Sequence, residues 1–154
     1  MMDREAHILL VEDNRMDVEL TLDAFEQARL GNTVHVARDG QEALDYLFGR
    51  AEYAERDEYP LPDLILLDLK MPGIDGHEVL RRIKAAPVLK RTPVVVLSSS
   101  REEGDRAMSY DNGANSYLVK PVSFEGFLKV VQEIGDYWLS LNVRPPCPEQ
   151  DVEA

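Results

Sequence analysis

The stretch that decides the fold covers residues 62–76 and reads PDLILLDLKMPGIDG. Its apolar run is short and rich in branched residues, which is typical of a strand buried on both faces. The run ends at a carboxylate, Asp68, and a turn follows at Pro72 and Gly73. Open α/β sheets bind their ligands beyond the carboxyl ends of the strands, so Asp68 stands where a functional acid is expected. Taken alone, the run fits an Asp that only caps the turn equally well.

The whole chain has the size and composition of one globular domain. It has 154 residues, of which 44% are hydrophobic and 30% charged, and this is enough for a full core. A formal charge of −12 disfavours nucleic acid and anionic membranes as partners, because both are recognised through clustered Lys and Arg. The single cysteine, Cys147, cannot form an internal disulfide, and no apolar signal segment opens the chain. We therefore expect a cytoplasmic protein.

Patterns typical of buried strands alternate with helical patterns along the chain. This alternation predicts a doubly wound α/β fold, with five parallel strands and five helices. The expected strand order is 2-1-3-4-5, which places the switch point of the sheet between the first and third strands. We expect this domain to span residues 1–141, followed by a proline-rich acidic tail over residues 142–154. Besides the run before Asp68, the strand patterns cover residues 7–11, 33–37, 93–97 and 116–119.

Three features of the connections lead to local predictions. Residues 49–62 form a long, charged, tyrosine-bearing segment without a clear period, and connections of this length are often functional or mobile. Ser100 and Glu103 have the spacing of a capping box for the fourth helix. Ser123 is placed to cap a last helix of some 16 residues or more.

Acidic side chains end the first and third strands, on either side of the predicted switch point. Glu12, Asp13 and Asp68 would repel one another unless a cation neutralised them. Carboxylate oxygens without nearby His or Cys favour Mg²⁺. Lys120 ends the fifth strand and Ser98 the fourth. These residue types predict a phosphoryl-transfer site in which Asp68 is the nucleophile, with Mg²⁺ and Lys120 stabilising the developing charge.

Four motifs occur in order along the chain: VEDN at 11–14, DLKMPGIDG at 68–76, SS at 98–99 and KP at 120–121. With these motifs, the chain resembles the receiver domain of two-component response regulators over about residues 6–138. This resemblance implies a flavodoxin-like receiver fold with Asp68 as the phosphoacceptor. It also implies that Asp13 binds Mg²⁺ (or Mn²⁺) directly, Glu12 through water and Lys70 through its backbone carbonyl.

The same resemblance assigns the switching residues. Ser98 matches the hydroxyl that moves towards the phosphoryl group, and Tyr117 matches the aromatic that changes rotamer with it. Lys120 matches the phosphate-binding lysine, and a cis bond is implied before Pro121. Lys70 is a departure, because it places a cation at a variable position that affects the lifetime of the phosphoryl group.

The partners implied are proteins. The chain resembles the stand-alone regulators, and most closely those paired with bacterial phytochrome histidine kinases. Such a regulator accepts its phosphoryl group from a sensor histidine kinase and signals by binding a downstream protein or by dimerising. We expect no enzymatic activity beyond its own phosphorylation and dephosphorylation.

The last helix has more apolar surface than one buried face needs. Such a surplus marks an interface, so we expect a homodimer built partly on this helix. The alternative is that the tail folds back and covers the surplus. The predicted core stripe is Phe127, Val131, Ile134 and Trp138. The candidate dimer face is Phe124, Leu128, Val130 and Tyr137.

Three other functions fit the residues less well. A phosphatase with an aspartyl intermediate commonly needs a second acid two residues after the nucleophile, where Lys70 stands. A flavin site lacks the glycine-rich loop that would hold the phosphate after the first strand. A phosphate sink, or a receiver-like scaffold that binds partners without being switched, is kept as the alternative function. His7, His35 and His77 have no metal-ligand spacing.

Overall fold

The computed structural model describes residues 5–146, which fold as one parallel sheet covered by helices on both faces. The strand order is β2-β1-β3-β4-β5, so the predicted order 2-1-3-4-5 is confirmed. The strands are β1 (Ala6–Val11), β2 (Asn32–Ala37), β3 (Leu64–Leu67), β4 (Val94–Ser98) and β5 (Ser116–Val119).

Five α-helices connect and follow the strands, and the fifth continues as a π-helical segment over Gly135–Leu141. The side chains of Asn14, Asp39, Asp75 and Ser123 each accept a backbone N–H from the first turn of the helix that follows. Within residues 5–146, no helix has the length and apolar character needed to cross a membrane. The helices are α1 (Arg15–Ala28), α2 (Gly40–Leu47), α3 (Gly76–Ala85), α4 (Glu103–Asp111) and α5 (Phe124–Ile134).

The sheet is buried on both faces because its side chains alternate between two apolar layers. Ile8 and Leu10 of β1 pack against α1 and α5, whereas Leu9 and Val11 pack against α2 and α3. All four are at most 2% exposed. Burying each such side chain stabilises the fold by roughly 1.5–3 kcal/mol. The two layers therefore fix the strands whose ends carry the site.

The start of α4 differs from the sequence-based expectation. The helix begins after Glu102, which makes no side-chain cap, so the predicted capping box of Ser100 and Glu103 is wrong. The Ser100 hydroxyl instead donates to Asp105 at 2.6 Å and accepts the N–H of Glu102 at 3.2 Å. The hydroxyl oxygen therefore accepts from a residue that precedes α4, whereas a capping box needs it to accept from the first turn of the helix.

The long segment between α2 and β3 is anchored by aromatic packing and by one arginine. It contains a 3₁₀ turn at Ala51–Ala54, and the rings of Tyr53 and Tyr59 lie 5.2 and 5.9 Å from the ring of Tyr46. Arg56 donates to the carbonyls of Tyr46, Leu47 and Tyr59 at 2.8–3.0 Å. The carbonyls of Tyr46 and Leu47 lie in the last turn of α2, where acceptors lack a partner further along the helix. Arg56 therefore caps the end of α2.

The chain after the π-helical segment turns towards the amino end of the sheet. A guanidinium nitrogen of Arg144 lies 3.9 Å from Oδ1 of Asp63, which directly precedes β3. The predicted tail over residues 142–154 is described only as far as residue 146. Residues 147–154, including Cys147, lie outside the described part of the chain.

Candidate phosphoryl-transfer site

Three acidic side chains meet at the carboxyl end of β1 and β3. The two strands are adjacent and parallel, with Val11 opposite Leu67, so the residues that follow them emerge side by side. One carboxylate oxygen from each of Glu12, Asp13 and Asp68 lies within 4.8 Å of the other two. Glu12 and Asp68 are buried, whereas Asp13 is exposed. Three oxygens at this spacing can hold a divalent cation that keeps waters on its open side.

Lys120 lies in the middle of these acids. Its ammonium nitrogen is 2.7 Å from Oε1 of Glu12, 2.8 Å from Oδ2 of Asp17 and 3.7 Å from Oδ2 of Asp68. The lysine side chain is only 9% exposed, so these charges interact with little screening by water. The structure thus brings together the acids of β1 and β3 and the lysine of β5, as the sequence predicts.

Asp17 is a member of the site that sequence analysis did not identify. It lies in the first turn of α1, and its carboxylate shares the ammonium of Lys120 with Glu12. Acids are common in the first turn of helices because they offset the helix dipole. The residue type alone therefore gave no sign of a role here. Glu12, Asp17 and Asp68 thus contact one ammonium. With Asp13 the site holds four carboxylates and one lysine, an excess of negative charge that attracts cations.

Burial shapes the protonation of the group. It raises the pKa of Glu12 to about 7, although Lys120 opposes the shift, and the charge of Asp68 adds to it. Burial also raises the pKa of Asp68, and Lys120 and the N–H of Leu69 counteract this. Burial acts to lower the pKa of Lys120, but its hydrogen bonds to Asp17 and Glu12 outweigh it and the pKa rises. Lys120 therefore stays positively charged, whereas burial disfavours the charged forms of Glu12 and Asp68.

The loop between β3 and α3 closes tightly over Asp68. The N–H of Gly76 donates to the carbonyl of Leu69 at 2.9 Å, and a Cβ at position 76 would clash with the carbonyl oxygen of Asp68. Only glycine permits this approach. The Lys70 carbonyl belongs to the same loop, and its role as a metal ligand stays a prediction.

The two predicted switching residues meet on the loop after β4. Ser98 is fully buried, and its hydroxyl oxygen accepts the N–H of Ser100 at 3.1 Å. The Tyr117 hydroxyl donates to the carbonyl of Ser100 at 3.0 Å. Movement of this loop would therefore affect both side chains, and their switching roles stay predictions.

Every peptide bond within residues 5–146 is trans, including the bond before Pro121. The predicted cis bond is therefore wrong. The trans form of an X–Pro bond is favoured by roughly 0.5–1 kcal/mol, and in this form the Pro121 ring packs against Gly126, where an added Cβ would clash with it.

The Lys70 side chain points towards α4. Its ammonium lies 3.9 Å from Oε1 of Glu102 and 3.8 Å from Oδ2 of Asp105. A cavity of about 470 Å³ borders this contact. Its lining consists of Leu69, Lys70, Met71, Asp75, His77 and Asp105.

The surface of α5 is less apolar than its sequence indicates. The predicted core residues Phe127, Val131 and Ile134 are buried, and Trp138 is partly buried. Three members of the predicted dimer face also pack partly against this core, and the fourth, Tyr137, is 50% exposed. The half-buried three are Phe124, Leu128 and Val130.

Exposed apolar side chains also occur outside α5. Met108 of α4 is 50% exposed, and Val122, in the turn before α5, is fully exposed. Leu141, at the end of the π-helical segment, is 74% exposed. The apolar surplus thus extends over several elements rather than along α5 alone.

This fold and site define a known class of protein. The family model of the response regulator receiver domain matches residues 8–132, and the chain belongs to that family.

Three relatives resemble it over nearly their whole length. The probable methanogenesis regulatory protein FilR2 of Methanothrix harundinacea is 45% identical, over 92% of this chain and 88% of that protein. Response regulator Rcp1 of Synechocystis is 41% identical over 90% and 92%, and its Mn²⁺-bound crystal structure superposes with a TM-score of 0.82, covering 92% of this chain and 99% of that one. The phosphorylated cyanobacterial phytochrome response regulator RcpA is 43% identical, with a TM-score of 0.87, over 93% and 100%.

Proposed function

We propose that this protein is a single-domain response regulator whose Asp68 accepts a phosphoryl group from a sensor histidine kinase. The observation that carries the proposal is the buried Lys120, 3.7 Å from Asp68 among oxygens that can hold a divalent cation. Family membership supports the same chemistry. The receiver would span residues 1–141, with residues 142–154 as an appended tail.

The mechanism follows from the positions of the side chains. An Asp68 oxygen attacks the phosphorus of phosphohistidine, the P–N bond breaks, and the electron pair leaves with the imidazole. Lys120 stabilises the negative charge on the transferring oxygens. Asp13 and Asp68, with Glu12 through water and the carbonyl of Lys70, would hold Mg²⁺ or Mn²⁺. When bound, this ion neutralises charge on the phosphoryl group. Ser98 would then donate to a phosphoryl oxygen, and Tyr117 would follow it.

We propose a phytochrome-type histidine kinase as the phosphoryl donor. The proposal is supported by the similarity to RcpA, which is a phytochrome response regulator and matches over its entire length. In this proposal the protein acts on no substrate beyond its own phosphorylation and dephosphorylation. The chain has a single cysteine and so cannot form an internal disulfide, which also supports a protein of the reducing cytoplasm.

The test of the proposed function is incubation with Mg²⁺ and acetyl phosphate, followed by mass spectrometry. Wild type gains the mass of one phosphoryl group, and Asp68→Asn does not. The matched control is Asp136→Asn, at an exposed position on the π-helical segment, which is labelled like wild type. Labelling that persists in Asp68→Asn would refute the assignment.

We propose that the output is phosphorylation-dependent binding of a downstream protein or of a second copy. The exposed apolar side chains of Tyr137, Met108 and Val122 support the second copy. Sedimentation of labelled and unlabelled protein tests this, with a dimer expected and Tyr137→Ser weakening it. A monomer at micromolar concentration in both states contradicts dimerisation. Labelling that changes no binding partner would favour the alternative of a phosphate sink.

A further inference from the structure

The ammonium of Lys70 lies beside two acids of the α4 region. It is 3.8 Å from Oδ2 of Asp105 and 3.9 Å from Oε1 of Glu102. The two acids are not equivalent, because the Asp105 side chain is 19% exposed and that of Glu102 is 73% exposed. Solvent screens the contact to Glu102 more strongly, so Asp105 is the more effective partner.

Asp105 is held in place by two other segments. The Ser100 hydroxyl donates to its Oδ2 at 2.6 Å, and Nε2 of His77 lies 3.3 Å from its Oδ1. The hydrogen bond from Ser100 is the main reason why the pKa of Asp105 lies below its usual value. Because the carboxylate accepts from these groups, it is a fixed anion that joins the β3–α3 loop, α3 and the β4–α4 loop.

We propose that Asp105 is a positioning residue that keeps the Lys70 ammonium away from the phosphoryl group and so sets the lifetime of the aspartyl phosphate. The inference rests on the proposed function, since it concerns hydrolysis of the product. In hydrolysis, water attacks phosphorus and the P–O bond to Asp68 breaks. The electron pair returns to the carboxylate, and the water proton leaves with inorganic phosphate.

Besides Lys120, which already contacts the acceptor, Lys70 is a second cation, close to Asp68 in sequence. It lies two residues after Asp68, on the loop that closes over the acceptor. Without Asp105, only the exposed carboxylate of Glu102 still holds the ammonium, and the more highly charged phosphoryl group on Asp68 competes for it. A lysine stem lying across the phosphoryl group obstructs the approach of water. Release of Lys70 is therefore expected to lengthen the lifetime.

The experiment measures the half-life of protein labelled with acetyl phosphate and Mg²⁺, after removal of the donor. Asp105→Asn keeps an acceptor for Ser100 but removes the charge, and its half-life is expected to be about threefold longer than that of wild type, the size of effect an ion pair near the surface can produce. Asp105→Glu restores the charge and returns the half-life towards the wild-type value. The matched control is Glu103→Gln on the same helix. Its carboxylate is 90% exposed and lies 3.9 Å from Arg106, so the half-life is expected to stay unchanged.

A double-mutant cycle separates positioning from a general effect on α4. Lys70→Met keeps the length of the side chain without the charge, so adding Asp105→Asn to it should produce no further change. A half-life that is unchanged or shortened in Asp105→Asn overturns the inference, and so does lengthening of equal size in the Lys70→Met background. Failure of wild type to become labelled would refute the proposed function instead, and the two failures are therefore distinguishable.

Discussion

The two ends of the sheet balance their charges differently. At the carboxyl end, the ammonium of Lys120 contacts Glu12, Asp17 and Asp68, and Asp13 adds a fourth carboxylate to the cluster. At the amino end, Asp63 accepts the N–H of His7 at 2.9 Å and lies 3.9 Å from Arg144, and Nδ1 of His7 is 3.3 Å from Nε2 of His35. One end keeps an excess of acid that an incoming cation relieves, whereas the other pairs its polar groups within the fold. The same strands therefore have a reactive end and a structural end.

Removing the cation at the reactive end should have the largest effect. Lys120→Met leaves no ammonium beside Asp68, and phosphorylation by acetyl phosphate is expected to slow by about a hundredfold, as for the loss of one oxyanion-stabilising donor. The rate of mass gain measures this change. Lys129→Met, at an exposed position on α5, is the matched control and should keep the wild-type rate. If both variants were phosphorylated at the same rate, the ammonium of Lys120 would make no contribution to phosphoryl transfer.

Adding a divalent cation should stabilise the reactive end. At about 100 times its Kd, Mg²⁺ is expected to raise the free energy of unfolding by about 2.7 kcal/mol through mass action. Asp13→Asn removes one of the three clustered carboxylates and should lose most of this increase. Urea unfolding with and without EDTA provides the measurement, and Asp23→Asn on the exposed side of α1 is the control. Equal stabilisation of Asp13→Asn and wild type would place the ion elsewhere.

Lowering the pH should destabilise the structural end of the sheet, and this effect should be smaller than the two above. Burial, followed by the charge of His7, lowers the pKa of His35, so the folded protein binds this proton less readily than the unfolded chain. The contribution of neutral His35 is complete above the unfolded pKa of about 6.5 and is lost as the pH falls below it. In excess Mg²⁺, the free energy of unfolding should fall less between about pH 7.5 and 5.5 in His35→Gln than in wild type. Identical slopes would contradict this, and Trp138, the only tryptophan, reports unfolding.

Much of the reactive end was predictable because a parallel sheet brings the carboxyl ends of its strands together. Glu12, Asp13, Asp68 and Lys120 follow three strands that apolar runs mark clearly, and their convergence needed only the correct strand order. Asp17 was not predictable in this way, because it lies on a helix and its orientation depends on how α1 packs. The same holds for Asp105, whose contact with Lys70 joins two loops.

Local patterns failed where particular side-chain contacts decided the structure. Ser100 has the spacing of a capping residue, but its hydroxyl oxygen accepts the N–H of Glu102, which precedes α4, and its hydrogen goes to Asp105. The segment over residues 49–62 has no regular period, because Tyr53, Arg56 and Tyr59 hold it to α2 by individual contacts. The cis bond implied before Pro121 came from family resemblance alone, and no local residue pattern supported it.

The change from α to π geometry at Gly135 alters which side chains of the last helix lie on the same face. A projection at 100° per residue, which describes Phe124–Ile134, loses phase once each hydrogen bond spans five residues. This phase change explains why Trp138, placed by the projection in the core, is only partly buried, while the rings of Tyr137 and Trp138 meet edge to face at 4.9 Å. Gly135, at the start of this segment, lets the backbone lie close to the terminal methyl groups of Leu30. Aligned relatives that lack one residue here would present a different set of side chains on the same face, with no substitution at any of them.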